Sequence, residues 1–112
     1  MEKTIVIDGK NIKLKTNGLV PLIYKKELGR DFFDDIQKLI KAENDIEVLY
    51  CLTWVYARAA DENISDFKSW FESFKAFPVN KYISDILELT TACLSTGEKQ
   101  SSKKKKKAEE QR

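Results

Sequence analysis

With 112 residues and a formal net charge of +2, the chain is large enough for one domain with a modest hydrophobic core. It contains no histidine, which excludes a histidine base, proton shuttle or metal ligand. Its two cysteines, Cys51 and Cys93, are not in a CxxC-type metal or redox motif, so we expect both to be small buried hydrophobes. The composition indicates no cofactor.

The first predicted element is a β-hairpin at about residues 3–15. Asp8-Gly9 lies between two β-rich runs and favours a two-residue type I′ turn, in which both residues need positive φ. This turn sets the register, so that Ile5 should face Ile12. The apolar face must cover helices or another chain, because an isolated hairpin is only marginally stable. That face comprises Ile5, Ile7, Ile12 and Leu14.

Two helices should follow the hairpin. The first, at about residues 19–28, can hold Pro21 in its first turn and should end at Gly29. The second should be capped by Asp31, with Asp34 in the first turn, where the helix dipole favours an acidic side chain. Its predicted buried stripe comprises Phe32, Phe33, Ile36, Leu39 and Ile40.

Three further helices complete the predicted domain. The third, at about residues 45–60, has an apolar stripe that includes Ile46 and is too wide for one face, so it should be the central, most buried helix. The fourth is shorter, begins at Asn63 or Ser65, and ends at a Phe-Pro pair. The fifth covers about residues 80–95.

The sequence changes character at residue 98. Residues 98–112 contain no apolar side chain larger than alanine and cannot offset their ordering entropy by burial, so we predict a disordered Lys-rich tail. Residues 1–97 carry thirteen basic and fifteen acidic residues, a net charge of −2, which does not favour a nucleic-acid surface. The predicted fold is mainly α: one domain at 1–97, with an N-terminal β-hairpin followed by about five helices, and the disordered basic tail at 98–112.

No secretory or membrane segment is visible in the sequence. The N-terminus has charges at positions 2 and 3 and only three consecutive apolar residues before the next charge. No apolar run approaches the roughly 20 residues that cross a bilayer. We therefore expect a cytosolic protein with no membrane partner.

Clusters of acidic residues are the only candidate catalytic groups. Paired carboxylates can perform acid–base chemistry or bind Mg²⁺ when their surroundings separate their pKa values. Each cluster here lies at a predicted helix start, where negative charge is favoured, so we interpret them as capping groups. The sequence also lacks nucleotide-binding and hydrolase motifs, and we expect no enzyme activity. The clusters are Asp31, Asp34 and Asp35; Glu43, Asp45 and Glu47; and Asp61, Glu62 and Asp66.

The fourth helix and its C-terminal flank carry large aromatic side chains. Four of them are spaced i, i+3, i+4 and i+7, which places them on one helix face. They can form plain core, or they can supply the rigid anchors of a partner-binding ridge shared with another subunit or a client. This predicted aromatic ridge comprises Phe67, Trp70, Phe71, Phe74 and Phe77.

The tail contains a run of consecutive lysines. Such a run can be an electrostatic arm for nucleic acid or a solubilising tail. It contains no arginine and no aromatic residue, and two glutamates follow it closely, so we expect no nucleic-acid partner. The run comprises Lys103, Lys104, Lys105, Lys106 and Lys107.

Four segments carry a resemblance to a known family. They are the Asp-Gly hairpin at 5–14, Tyr24-Lys-Lys-Glu-Leu-Gly29-Arg-Asp, Trp54-Val-Tyr-Ala-Arg-Ala-Ala-Asp61, and Asp66-Phe-Lys-Ser-Trp70-Phe-Glu-Ser-Phe74. Together they resemble the tail assembly chaperones of long-tailed phages and prophages of Gram-positive bacteria. The resemblance covers about residues 4–95 and consists of apolar positions with a few characteristic residues.

The resemblance implies a small, mostly helical, non-enzymatic protein that binds the tape measure protein, a very long helical chain with much exposed apolar surface. Such a chaperone keeps its client soluble and extended in the host bacterial cytoplasm while tail tube subunits polymerise around it, and it is absent from the mature virion. The family also implies a surface for self-association into a homo-oligomer. A longer form, made by ribosomal frameshifting, would contact the tail tube protein.

Two other function classes stay open from the sequence. One is a small nucleic-acid-binding regulator that uses the basic tail, and strongly salt-dependent binding would indicate it. The other is a helical protein–protein adaptor that buries the aromatic ridge in a single partner. An adaptor would bind one copy per partner, whereas a chaperone would coat one long client with many copies.

Overall fold

The computed structural model describes residues 1–42 and 45–94 and confirms the predicted fold class. Within these ranges an antiparallel hairpin is followed by five α-helices and one 3₁₀ turn, and none of these helices is long and apolar enough to cross a membrane. The predicted tail at 98–112 lies outside the described residues. The strands are β1 (Glu2–Ile7) and β2 (Lys10–Lys15), and the helices are α1 (Val20–Leu28), α2 (Phe32–Lys41), α3 (Ile46–Ala60), α4 (Phe67–Glu72) and α5 (Ile83–Leu94), with the 3₁₀ turn at Val79–Tyr82.

The hairpin forms as predicted. Asp8 and Gly9 occupy its turn with φ angles of 55° and 75°, and Ile5 pairs with Ile12. β2 lies directly against α3, so the apolar face of the hairpin covers the central helix and needs no second chain for its burial. Ile5, Ile7 and Leu14 are buried, and Ile12 is partly buried.

α3 is the central helix, as predicted. All residues at positions 51–57 are buried, and the helix contacts β2, α1, α2 and α5. The indole Nε1 of Trp54 donates a hydrogen bond of 3.0 Å to the carbonyl of Ser65, which ties α3 to the loop before α4. The hydroxyls of Tyr56 and Thr90 lie 2.6 Å apart and link α3 to α5.

The helix ends follow local capping chemistry. The N–H of Gly29 donates to the carbonyl of Lys25, and its left-handed φ of 67° ends α1. Three helices begin at an aspartate whose carboxylate accepts a hydrogen bond from the backbone N–H three residues later. These caps are Asp31 for α2, Asp45 for α3 and Asp66 for α4.

Three residues predicted to be buried are exposed. Phe33 and Ile40 on α2 are 55% and 65% exposed, and Ile46 on α3 is 62% exposed. α2 packs through the narrower face at positions 32, 36 and 39, so the flanking positions of its stripe point to solvent. Ile46 is the first residue of α3 and precedes the buried part of that helix.

The fourth helix is shorter than predicted. It begins after Asp66 and ends at Glu72, six residues in all. The hydroxyl of Ser73 donates to the carbonyl of Trp70 at 2.6 Å, and a turn follows. That turn carries Phe74 out of the helix, so the five aromatic residues of the predicted ridge come from two different backbone segments.

Candidate partner-binding surface

The predicted aromatic ridge is a compact cluster of rings. α4 contributes Phe67, Trp70 and Phe71, and the turn after it contributes Phe74 and Phe77. The ring centroids of Phe67 and Phe71 are 4.9 Å apart, those of Trp70 and Phe74 are 5.2 Å apart, and those of Phe71 and Phe77 are 4.8 Å apart. These pairs meet edge to face, the arrangement that ring quadrupoles favour.

Only part of this cluster can reach a partner. Trp70 and Phe74 are 6% and 9% exposed and belong to the core. Tyr50 of α3 also belongs to the cluster: its ring centroid lies 4.7 Å from that of Phe71, and its hydroxyl donates to the carbonyl of Phe77 at 3.3 Å. The partly exposed members, called the aromatic edge below, are Tyr50, Phe67, Phe71 and Phe77.

An apolar groove of about 530 Å³ adjoins the aromatic edge and shares two residues with it, Tyr50 and Phe67. It lies between the C-terminal end of α1 and the first turns of α3, and we call it the α1–α3 groove. Exposed Ile46 stands in its wall, which gives that side chain an apolar setting although it is outside the core. The remaining lining residues are Leu28 and Cys51, with Glu27, Arg30 and Glu47 as its charged residues.

A charge network around the buried Asp35 holds Arg30 beside this groove. The guanidinium of Arg30 lies 2.6 Å from the Asp35 carboxylate and 3.1 Å from that of Glu47. The hydroxyl of Tyr24 donates to Asp35 at 2.6 Å. Burial opposes ionisation of Asp35, but hydrogen bonds from Arg30 and Tyr24 outweigh it and hold the pKa of Asp35 below its ordinary value. Asp35 is therefore a permanently charged structural group at neutral pH.

The acidic clusters divide between capping and other roles. The capping interpretation is confirmed for the aspartates that begin α2, α3 and α4. Asp35 also lies in the first turn of α2, but its carboxylate pairs with Arg30, a role that the sequence did not predict. Asp61 accepts from the backbone N–H of Asn63 in the loop after α3. Glu43 lies outside the described residues. Within residues 1–42 and 45–94, no group of three potential ligands among His, Cys, Asp and Glu could hold a metal ion.

Both cysteines are free thiols, Cys51 buried and Cys93 partly buried. Burial raises the pKa of each thiol, which keeps it protonated and a poor nucleophile. Their predicted role as small hydrophobes agrees with this, although Cys93 is less enclosed than expected.

The sequence prediction included Phe67, Phe71 and Phe77 of the aromatic edge, but it missed Tyr50 and the α1–α3 groove. The groove forms only where α1 and α3 pack together, and these helices are separated in the sequence. The one feature of the sequence that could have indicated the groove is the apolar residue at the first position of α3, Ile46. The predicted tail site at Lys103, Lys104, Lys105, Lys106 and Lys107 lies outside the described residues.

Comparisons with known proteins do not identify a family. No protein-family model matches the chain, and neither the curated proteins nor the solved structures contain a match. The resemblance to tail assembly chaperones therefore stays a prediction from the sequence.

Proposed function

We propose that this chain is a tail assembly chaperone of a long-tailed phage or prophage, which binds apolar helical segments of the tape measure protein. One observation supports this most directly: the aromatic edge and the α1–α3 groove share Tyr50 and Phe67 and so form one continuous, partly open apolar surface. Large aromatic side chains beside a groove are the usual anchors for an amphipathic helix.

The surface is also well anchored, which lowers the entropic cost of binding. Its floor is α3, the most buried helix, through Tyr50 and Cys51. Arg30 is held by the buried carboxylate of Asp35 and so presents its charge at the rim in a defined position. The rest of the rim is acidic, and it would face the polar side of a client helix whose apolar side fills the groove.

The proposed setting is the host bacterial cytoplasm, with the chaperone absent from the mature virion. The chaperone has no catalytic step in this proposal. A longer frameshifted form would add a C-terminal domain that recruits tail tube protein. Leu94, the last residue of α5, is 45% exposed and does not line the α1–α3 groove, so the described part of the chain ends outside the groove lining.

Co-expression with a tape measure fragment tests this function with two matched variants. Ile46→Glu places a charge in the groove, and Ile40→Glu places the same charge at an equally exposed isoleucine on α2. We expect the wild type and Ile40→Glu to keep the fragment in the supernatant and Ile46→Glu to lose it, with all three chains melting within ~2–4 °C of one another. Equal retention by all three would overturn the assignment of the groove.

The mass of the complex separates a chaperone from an adaptor. Many copies on one tape measure fragment, increasing with fragment length, would support the chaperone. A fixed ratio of one copy per partner at every length would favour the adaptor instead.

A further inference from the structure

The two outer edges of the hairpin differ. The edge of β1 is covered by the segment that leads into α5: the hydroxyl of Tyr82 donates to the carbonyl of Val6. Lys3 on the same strand forms ion pairs with Glu88 at 2.5 Å and Asp85 at 3.4 Å. These contacts leave little room for another strand beside β1.

The edge of β2 is open. Ile7 and Lys10 flank the two-residue turn and exchange hydrogen bonds, so the alternate residues of β2 direct both N–H and C=O away from β1. Among the residues that the structure describes, no hydrogen bond reaches these outward groups. An unpaired edge of this kind is a template for a further strand. The outward residues are Asn11, Lys13 and Lys15.

Space for such a strand lies beside β2. A cavity of about 530 Å³ runs between β2 and the C-terminal end of α3. Its apolar lining is made by small or branched side chains, so the side chains of an added strand could enter from the same face as Ile12. This apolar lining comprises Ile12, Ala57, Ala60 and Ile64, and the polar residues Thr4, Asn11, Lys13 and Asp61 complete the cavity wall.

The charges along the β2 edge favour an acidic strand over a second copy of β2. Lys13 and Lys15 point to the opposite face from Ile12, where Lys13 lies opposite Thr4 and Lys15 lies opposite Glu2 in the hairpin. Pairing β2 with a second copy of itself would bring these lysines together, and like charges on paired strands are destabilising. Acidic side chains on that face would complement them instead.

We propose that the β2 edge binds an extended acidic segment of a partner protein by strand addition. Acidic side chains of the segment would face Lys13 and Lys15, and alternate small apolar side chains would enter the cavity beside Ile12. This site is separate from the aromatic edge and the α1–α3 groove, so the inference does not depend on the proposed function.

A synthetic peptide of alternating Glu and Val, with blocked termini and a fluorophore, is the probe. We expect it to bind the full chain, and a peptide with Lys in place of every Glu to bind at least about tenfold more weakly at low salt. Strand addition uses the amides of alternate residues only. N-methylation of one alternate set, either all Glu or all Val amides, should therefore abolish binding, and N-methylation of the other set should not.

Two variants at one position test the protein side. Lys13→Pro removes an outward N–H that the hairpin does not use, as proline on an edge strand does, whereas Lys13→Ala keeps the N–H and removes only the charge. We expect Lys13→Pro to lower the affinity for the peptide at least tenfold and Lys13→Ala to lower it only a few fold. On peptide binding, the amides of Asn11, Lys13 and Lys15 should exchange with solvent more slowly.

Three results would overturn the proposal. The acidic peptide could fail to bind at about 1 mM, which corresponds to only about −4 kcal/mol. Both N-methylated peptides could bind equally well, which would show that backbone hydrogen bonds do not contribute to binding. This result holds even if Lys13→Pro does not fold. A dimer that Lys13→Pro dissolves would show that a second copy occupies the edge.

Discussion

The hydroxyl of Tyr24 donates a hydrogen bond of 2.6 Å to the carboxylate of Asp35, and both side chains are buried. Tyr24 lies on α1 and Asp35 on α2, with Arg30 in the segment between them contacting the same carboxylate. This bond therefore fixes one helix against the next. The same carboxylate holds Arg30 at the rim of the α1–α3 groove, which links the packing of the helices to the proposed client site.

Tyr24→Phe should destabilise the fold by about 1–3 kcal/mol, because it removes one donor from a buried carboxylate. Tyr50→Phe is the matched control, since its hydroxyl donates only to a neutral carbonyl, at 3.3 Å. We expect the control to lose about 0.5–1 kcal/mol of its free energy of unfolding. Urea unfolding measures both changes, and equal losses would mean that the charge of Asp35 adds nothing to its hydrogen bond with Tyr24.

Asp35→Asn should show a pH-dependent loss of stability. The folded pKa of Asp35 lies below the unfolded value of about 3.9, so its stabilisation is present above that value and is lost as the pH falls through the folded pKa. The variant should be less stable than the wild type at pH 7, and the difference should shrink below about pH 4. Hydrogen bonds from Ser69 also lower the pKa of Asp66, but this group is common to both chains and cancels from the difference. A difference that stays constant from pH 7 to pH 3 would contradict this account.

Trp54→Ala should cost roughly 3–5 kcal/mol, the usual loss when a large aromatic side chain is removed from a core. Trp54 is only 1% exposed, and its Nε1 donates to the carbonyl of Ser65. Trp54→Phe keeps much of the volume but loses this hydrogen bond, so we expect a smaller loss. A melting temperature of Trp54→Ala within a degree or two of the wild type would show that the site collapses without penalty.

The local parts of the fold were predictable from the sequence. The turn at Asp8-Gly9 needs only two residues that accept positive φ, and it determines the whole hairpin register. The caps at Asp31 and Asp45 act within three residues of themselves. The width of a buried stripe is different, because it depends on which neighbours a helix meets, and Phe33 was wrongly placed inside for that reason.

The candidate site was only half predictable. Spacing identified the aromatic residues but could not say that Trp70 closes over the core while Phe71 stays partly open. Asp35 resembles any acidic residue in a first helical turn, and its pairing with Tyr24 and Arg30 appears only when α1 and α2 have packed. The α1–α3 groove has the same origin, since it exists only between packed helices.

Two aromatic variants should separate folding from client binding. Trp70→Ala should lower stability by about 3–5 kcal/mol because Trp70 is buried. Phe67→Ser removes a partly exposed ring shared by the aromatic edge and the groove, so we expect it to melt closer to the wild type while losing tape measure binding. Thermal melting and client retention, measured in parallel, test this. Should folded Phe67→Ser still retain the client, the aromatic edge is only core.

The consecutive lysines of the tail give a prediction at the level of the gene. Lysine is encoded by AAA and AAG, so Lys103 to Lys107 require an adenine-rich message, on which two tRNAs can re-pair one base back. In the family that the chain resembles, such slippage yields the longer form that contacts tail tube subunits. We therefore expect a minor, longer product from the natural gene. Synonymous recoding that interrupts the adenine run should abolish this product and leave the short protein unchanged on an immunoblot. A longer band that survives recoding, or its absence from the natural gene, would leave the lysines with a solubilising role only.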